Sequence, residues 1–364
     1  MLSIEHAQVL QSCLCPPGEG VFTVNTARER KEHLHQALYG AGDDVLQAWQ
    51  AHLYQLPEHG TVMLGVCSDN GGGILRGANW GPLYLRDALL AHYPDQLPFD
   101  LGDVRIIPHL LHDKYVNSKT LAKCRQALYG DATSILPVSP LSLTEFVCQT
   151  VYQQASPPCL FGVGGDHSVS YPLVKTYLRH KQQQGIKVAL IHFDAHTDLL
   201  TERMGIDLCF GSWCTHILSD LPDPALAIQI GIRSSARDQL YWEKTRGVTQ
   251  HWAARIHEQG MTAITAQVLA QLEAAEVQEV YVSFDIDALD VQYASATGTP
   301  EKDGLTPNQC IELIEAIATQ VAITGADIME LAPLTDSTLQ GKESHETTLA
   351  VSADISATLL RCMP

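Results

Sequence analysis

Short apolar runs alternate with longer amphipathic stretches from about Thr61 to the end of the chain. The runs occupy residues 62–66, 104–107, 160–163, 188–193, 227–231, 280–284 and 323–329. Their apolar side chains do not alternate with polar ones, which is the pattern of strands buried on both faces. The amphipathic stretches between them, such as 307–320, read as crossover helices, and strands joined in this way lie mostly parallel. In a parallel sheet covered by helices, functional groups collect beyond the carboxyl ends of the strands. The first 60 residues differ: a Cys15-Pro16-Pro17-Gly18-Glu19-Gly20 turn is followed by helical patterning over 26–56, with no group of ligand-type side chains. Residues 1–60 are therefore expected to form a largely helical N-terminal extension, and 61–364 the catalytic domain.

Composition narrows the class. The 364 residues are 45% hydrophobic, enough for a large core. No apolar stretch reaches the ~18 residues that span a bilayer, and Met1-Leu2-Ser3-Ile4-Glu5-His6 lacks the basic start and apolar centre of a signal peptide, so the expected compartment is the cytoplasm. Ten cysteines are scattered without a CxxC pair and read as free thiols of a reducing environment. With 41 acidic and 23 basic side chains the net charge is −18, which disfavours nucleic acid and tolerates a cationic small molecule.

Three segments gather the chemistry: Gly164-Gly165-Asp166-His167-Ser168, Asp194-Ala195-His196-Thr197-Asp198 and Ser283-Phe284-Asp285-Ile286-Asp287. The last two follow strand-like runs, so their acids sit where buried strands end. Several ionised groups buried together need a cation. Alternate residues of an extended segment face one way, so Asp194, His196 and Asp198 are expected to converge, as are Asp285 and Asp287. Oxygen and imidazole donors without thiolate favour Mn²⁺ or a similar ion over structural zinc. Two such ions roughly 3.5–4 Å apart lower the pKa of a shared water toward about 7. Each segment alone could be a solvated loop or a helix cap. His192 reads as a satisfied core residue, and Asp166 and Asp290 as hydrogen-bonding neighbours of ligands.

Together the segments resemble the signatures of the arginase/agmatinase (ureohydrolase) family, GGDHS, DAHTD and SFDxDxxD, in the family's order. The likeness extends through Asp100-Leu101-Gly102-Asp103-Val104, Gln229 to Ser234, Ala296-Thr297-Gly298-Thr299-Pro300 and Asp327-Ile328-Met329-Glu330. It implies an α/β fold, a three-layer α/β/α sandwich with a mostly parallel sheet. It also implies a binuclear centre in which Asp194 and Asp285 bridge two Mn²⁺ ions, His167 and Asp198 complete one shell, and His196 and Asp287 the other; Ni²⁺ suits the same donors. Glu330 would pair with a guanidinium group and Thr297 would line the cleft. The implied reaction is hydrolysis of a linear C–N bond of a guanidino compound to urea and an amine, agmatine-like substrates first and arginine second, by a homo-oligomer, a trimer or hexamer.

One position departs from the family. Where a His-Gly pair supplies a proton-shuttling histidine, this chain has Phe210-Gly211, and His216 is the nearest substitute. Arg203 and Trp213 fall in the loop that would select the substrate's tail. The alternatives are a formimino substrate releasing formamide, a non-catalytic ligand-binding relative, and a single-zinc deacetylase-like amidohydrolase, which the full Asp-His-Asp and Asp-Asp sets oppose.

Overall fold

A computed structural model describes residues 4–364, apart from Phe22, Val24, Ala41, Asp43, Ile74 and residues 336–341. Among the described residues nine strands form one sheet: β1 (Leu14–Cys15), β2 (Thr61–Gly65), β3 (Phe99–Val104), β4 (Cys159–Val163), β5 (Val188–Phe193), β6 (Ala227–Ile230), β7 (Thr249–His251), β8 (Glu279–Asp285) and β9 (Ala322–Met329). Their order is β1-β3-β2-β4-β9-β8-β5-β6-β7, and all neighbours are parallel except β1 with β3.

Adjacent residues of the central strands enter opposite cores, as the apolar runs imply. Met63, Phe161, Ile191 and Val282 pack in one, and Leu64, Leu160, Leu190 and Tyr281 in the other. Helices Gly81–His92, Met261–Ala274 and Pro307–Ala318 cover the first face, and Pro140–Tyr152 and Ser170–Gln183 the second. Thr306 starts Pro307–Ala318 with a reciprocal cap, its hydroxyl taking the Gln309 N–H while the Gln309 side chain takes the Thr306 N–H. The layers are helix, sheet, helix.

Two strands differ from expectation. The run at 104–107 is mostly loop, and the strand beside it is Phe99–Val104, which carries Asp100 and Asp103 inside the protein. Arg86, fully buried, compensates both: Nε and Nη2 donate to Asp100 at 2.7 and 2.9 Å, and Nη1 to Asp103 at 2.5 Å. β7 has no apolar run at all. The N-terminal extension is helical at Arg28–Tyr39 and Val45–Leu53, and it also supplies β1 to the sheet edge. Trp49 Nε1 donates to the Leu101 carbonyl at 3.0 Å, and the Gly18 and Gly20 N–H groups donate to Asp103 Oδ2. Gly102, at φ 98°, permits this approach, because a Cβ there would lie 2.1 Å from the Cys15 carbonyl oxygen.

Candidate metal centre

The four central strands β4, β9, β8 and β5 deliver the acid-rich segments to one end of the sheet. Beyond β4, Gly165 packs so closely on the loop after β2 that a Cβ would lie 1.5 Å from the Ser68 carbonyl oxygen. Asp166 then takes the N–H groups of Ser168 and Gly71 at 3.0 and 3.1 Å, and His167 opens a short 3-10 turn. Asp194 to Asp198 is not an extended segment. It bends away from β5, with Asp198 in the left-handed region at φ 52° and the Asp194 carboxylate taking the His196 N–H at 2.6 Å. Asp285 is the last residue of β8, and Asp287 lies in the following 3-10 turn, its N–H on Asp285 Oδ1 at 2.9 Å. The expected convergence is thus produced by turns rather than by strand alternation. Turns suit these acids better, since each first carboxylate also satisfies a backbone donor of its own loop.

The donors form two lobes. His167 Nδ1 lies 3.1 Å from Asp194 Oδ2, 3.2 Å from Asp198 Oδ2 and 2.9 Å from Asp285 Oδ2. His196 Nδ1 lies 3.1 Å from Asp287 Oδ2 and 3.4 Å from Asp194 Oδ1. Ligand atoms about 2.1 Å from one ion and at right angles stand about 3 Å apart. Asp194 therefore offers one oxygen to each lobe. Asp285 faces the His167 lobe directly, its second oxygen taking the Asp287 N–H.

Hydrogen bonding supplies an independent test that these residues fit an ion. His167 Nε2 meets Ser283 Oγ at 3.1 Å, and that hydroxyl donates to Asp327 Oδ1 at 2.8 Å. The Ser283 proton is committed to Asp327, so Nε2 of His167 carries the ring hydrogen and Nδ1 keeps a lone pair aimed at three carboxylates. Buried Nδ1 has no hydrogen-bond partner among the described residues. A lone pair facing anions is repulsive unless a cation lies between them. His192 is different: Gln229 Nε2 donates to its Nδ1 at 2.9 Å, which leaves Nε2–H to donate to Asp194 Oδ2 at 2.9 Å. It holds Asp194 in place with both nitrogens satisfied. Trp213 does the same for Asp198, its Nε1–H donating to Oδ2 at 2.7 Å; it is fully buried and is not among the residues lining the cavity beside Phe210.

Without an ion, the acids resist ionisation. Burial, then Asp287 and Asp194, hold the Asp285 carboxyl well above the usual range. Burial, then Asp285 and Asp166, do the same to Glu330. Asp166 is pushed up to about 7 by burial and by Asp69. Asp194 goes the other way: burial would raise it, but the imidazoles of His167, His192 and His196 around it outweigh burial and hold it low.

Glu330 follows β9 in the left-handed region, φ 62°. Its N–H donates to the Gly165 carbonyl at 2.9 Å, and Oε1 takes the His167 N–H at 2.9 Å. Oε2 faces Gly298, where a Cβ would stand 3.3 Å away. Thr297 is paired across a bridge to Leu331, and its buried hydroxyl has no partner among the described residues. Phe210 lines a cavity of about 600 Å³ with Gly71, Gly72, Gly73 and Arg203. His216 is not among the lining residues, and its Nε2 bonds the Thr201 carbonyl at 3.1 Å. Asp290 caps its own loop through the N–H groups of Gln292 and Gly304. Sequence reasoning missed Ser283, Gln229 and the role of Trp213. Only Ser283 carried a signal, its place two residues before Asp285 in the motif.

The sequence profile described as the arginase family matches residues 59–361. The chain is 36% identical over 175 residues to an N(1)-aminopropylagmatine ureohydrolase of Thermus thermophilus, covering 48% of this chain and 55% of that protein. It is also 36% identical over 178 residues to an agmatinase of Salmonella paratyphi B, covering 49% and 53%. The chain thus spans about half the length of the curated relatives it matches. The solved structure of a hypothetical agmatinase from Burkholderia thailandensis superimposes with a TM-score of 0.62 at 27% identity, over 84% of this chain and 85% of that one. A two-lobed set of His and Asp donors at the ends of the central strands, on a fold and a sequence profile that agree, makes this chain a member of the arginase family.

Proposed function

We propose that the chain is a binuclear-metal hydrolase that cleaves a linear C–N bond of a guanidino compound to give urea and an amine. The relatives' names favour agmatine-type guanidines as substrates, and family likeness adds arginine second; both speak for the guanidinium head and not for the charge of the tail. The observation that carries the reading is the pair of lobes sharing Asp194, with Glu330 beside them and, among the described residues, without a cationic side-chain partner. We assign His167, Asp194, Asp198 and Asp285 to one ion and Asp194, His196 and Asp287 to the other, with Asp285 as second bridge by family likeness. Mn²⁺ is the proposed ion, and the same oxygen and nitrogen donors suit Ni²⁺. When bound, two divalent ions supply the charge that makes water nucleophilic near neutral pH.

The chain's own residues seat the substrate. Glu330 is buried among acids that raise its pKa, so its ionised form gains from a cation placed on Oε2, and a guanidinium binds a carboxylate through paired N–H donors. That pairing fixes the plane and position of the carbon to be attacked. Thr297, next to Gly298, keeps a buried hydroxyl without a partner among the described residues. A second reading, a formimino substrate releasing formamide, draws on the same donors and on the arginines of the adjoining cavity. Family likeness further suggests a cytoplasmic homo-oligomer, trimeric or hexameric; no helix among the described residues is long and apolar enough to cross a membrane.

The test is direct. Protein loaded with Mn²⁺ or Ni²⁺ is screened against guanidino and formimino compounds for urea, formamide and ammonia, with Asp194→Asn as control. Urea release that this variant abolishes is expected. Release of none of the three products from any compound, with two ions bound per chain, would sink the proposal.

A further inference from the structure

The cavity beside the metal centre is placed to receive the rest of the substrate. A Cβ on Gly73 would lie 3.5 Å from Phe210 Cζ and 3.9 Å from Thr299 Cγ2, so these three residues form one wall. Thr299 Oγ1 in turn donates to Asp287 Oδ2 at 2.9 Å. The Phe210 N–H is bound to the Gly71 carbonyl, and the Gly71 N–H to Asp166, one residue before His167. Neither the proposed ligands nor Glu330 line the cavity, but these contacts set its Gly71–Gly73 and Phe210 wall against the loops that carry Asp166 and Asp287.

The charged lining of that cavity has one sign. Arg76 and Arg203 line it, and among the described residues no carboxylate does. Arg76 is already paired with Asp69, at 3.8 Å. Arg203 has no carboxylate partner among the described residues. Its guanidinium lies 4.9 Å from the centre of the Phe210 ring, which supports the planar group and leaves its N–H edge free. The residue that replaces the family's histidine thus serves as a platform for an arginine.

An ammonium tail entering here meets two guanidinium groups, and the nearest carboxylates, Asp69 and Asp207, are already engaged by Arg76 and by Lys114 and Tyr115. A carboxylate tail meets a planar fork of donors that matches it in shape and charge. Resting on the hydrolase reading above, we propose that this cavity is an anion-binding tail subsite, that Arg203 on the Phe210 ring is its specificity-determining residue, and that the substrate is a guanidino or formimino acid rather than an amine-tailed guanidine such as agmatine.

Three compounds of similar length isolate the tail: guanidinobutanoate, agmatine and uncharged butylguanidine. On Mn²⁺-loaded protein, kcat/KM is expected to fall in the order guanidinobutanoate, butylguanidine, agmatine. In Arg203→Met the ratio of guanidinobutanoate to butylguanidine should drop roughly tenfold to a hundredfold, the worth of a charge-assisted hydrogen bond, and Arg203→Lys should restore part of it. A ratio taken within one preparation cancels any loss of folded protein. Calorimetric binding of guanidinobutanoate provides a readout independent of turnover. Agmatine turned over as well as or better than guanidinobutanoate, or an unchanged ratio in Arg203→Met, overturns the subsite while leaving the hydrolase intact. If no guanidine yields urea, the reaction fails instead, and binding of guanidinobutanoate that Arg203→Met does not weaken overturns the subsite as well.

Discussion

Ser283 is a single hydroxyl between an imidazole and a buried acid, and its bond to Asp327 favours the tautomer of His167 that turns a bare Nδ1 to the proposed ion site. Removing it in Ser283→Ala frees the ring to take the wrong tautomer and leaves Asp327 short of a donor. Metal affinity, measured by competition with a chelator, should fall about 10–100-fold, as is typical when a partner of a ligating histidine is lost. An affinity within about twofold of the wild type would show that Ser283 does not set the tautomer. His216 makes the opposite case. Its Nε2 is held on the Thr201 carbonyl and it does not line the cavity, so His216→Ala should leave kcat nearly unchanged. A hundredfold fall at constant metal content, the scale of a lost general acid or base, would restore it as a proton carrier. Proposed ligands such as Asp194 and Asp287 were legible in sequence because buried acids are chemically conspicuous. Trp213 was not, because an indole reads as core or cleft until its N–H is seen on Asp198.

At the scale of elements, strands with continuous apolar runs were readable and strands with a polar function were hidden. β3 carries two carboxylates inward and so has no continuous apolar run, which shifted the expected strand to 104–107; Arg86 from the helix Gly81–His92 lies over both acids. Arg86→Met would leave Asp100 and Asp103 buried without a counter-charge, which typically costs about 3–5 kcal/mol. Urea unfolding at neutral pH should show that loss, and proteolysis should show the segment around Gly18 and Gly20 released from Asp103. A loss below about 1 kcal/mol would place the cluster with weak surface pairs and refute its structural role.

The whole molecule is built around charges that its ion-free fold cannot hold comfortably. Asp285, Glu330 and Asp166 have raised pKa values, so the stability they contribute is complete below the ordinary carboxylate range and is lost as pH rises through the folded values, about 7 for Asp166. His167 is likewise raised: burial would lower it, but the carboxylates of Asp194, Asp198 and Asp285 around Nδ1 outweigh that, so without an ion a proton takes the cation's place there, and its contribution is lost in the same direction. Asp194 is lowered, and its contribution disappears only in strong acid. Chelator-treated protein should therefore lose Tm between about pH 5.5 and 8. Mn²⁺ should raise Tm more at the upper end of that range and release protons on binding. A chelated protein whose Tm rises with pH across this window would contradict the assignment of the cluster as an ion site.

The sequence by itself determined the class of fold, the order of the motifs, the donor types and the family. Apolar runs, turn residues and clustered acids are local features, and each has a physical consequence wherever it is placed. Tertiary structure alone decided how the donors divide into two lobes, because that depends on which strands are neighbours: β4 and β5 are consecutive in the chain but have β9 and β8 between them. It also decided that Asp194 faces both lobes, that β1 and Trp49 tie the N-terminal extension to the sheet edge, and that Arg203 lies on Phe210 at the mouth of the cavity. Such pairings join residues distant in sequence or brought together only by a turn, and hydropathy patterning holds no record of them.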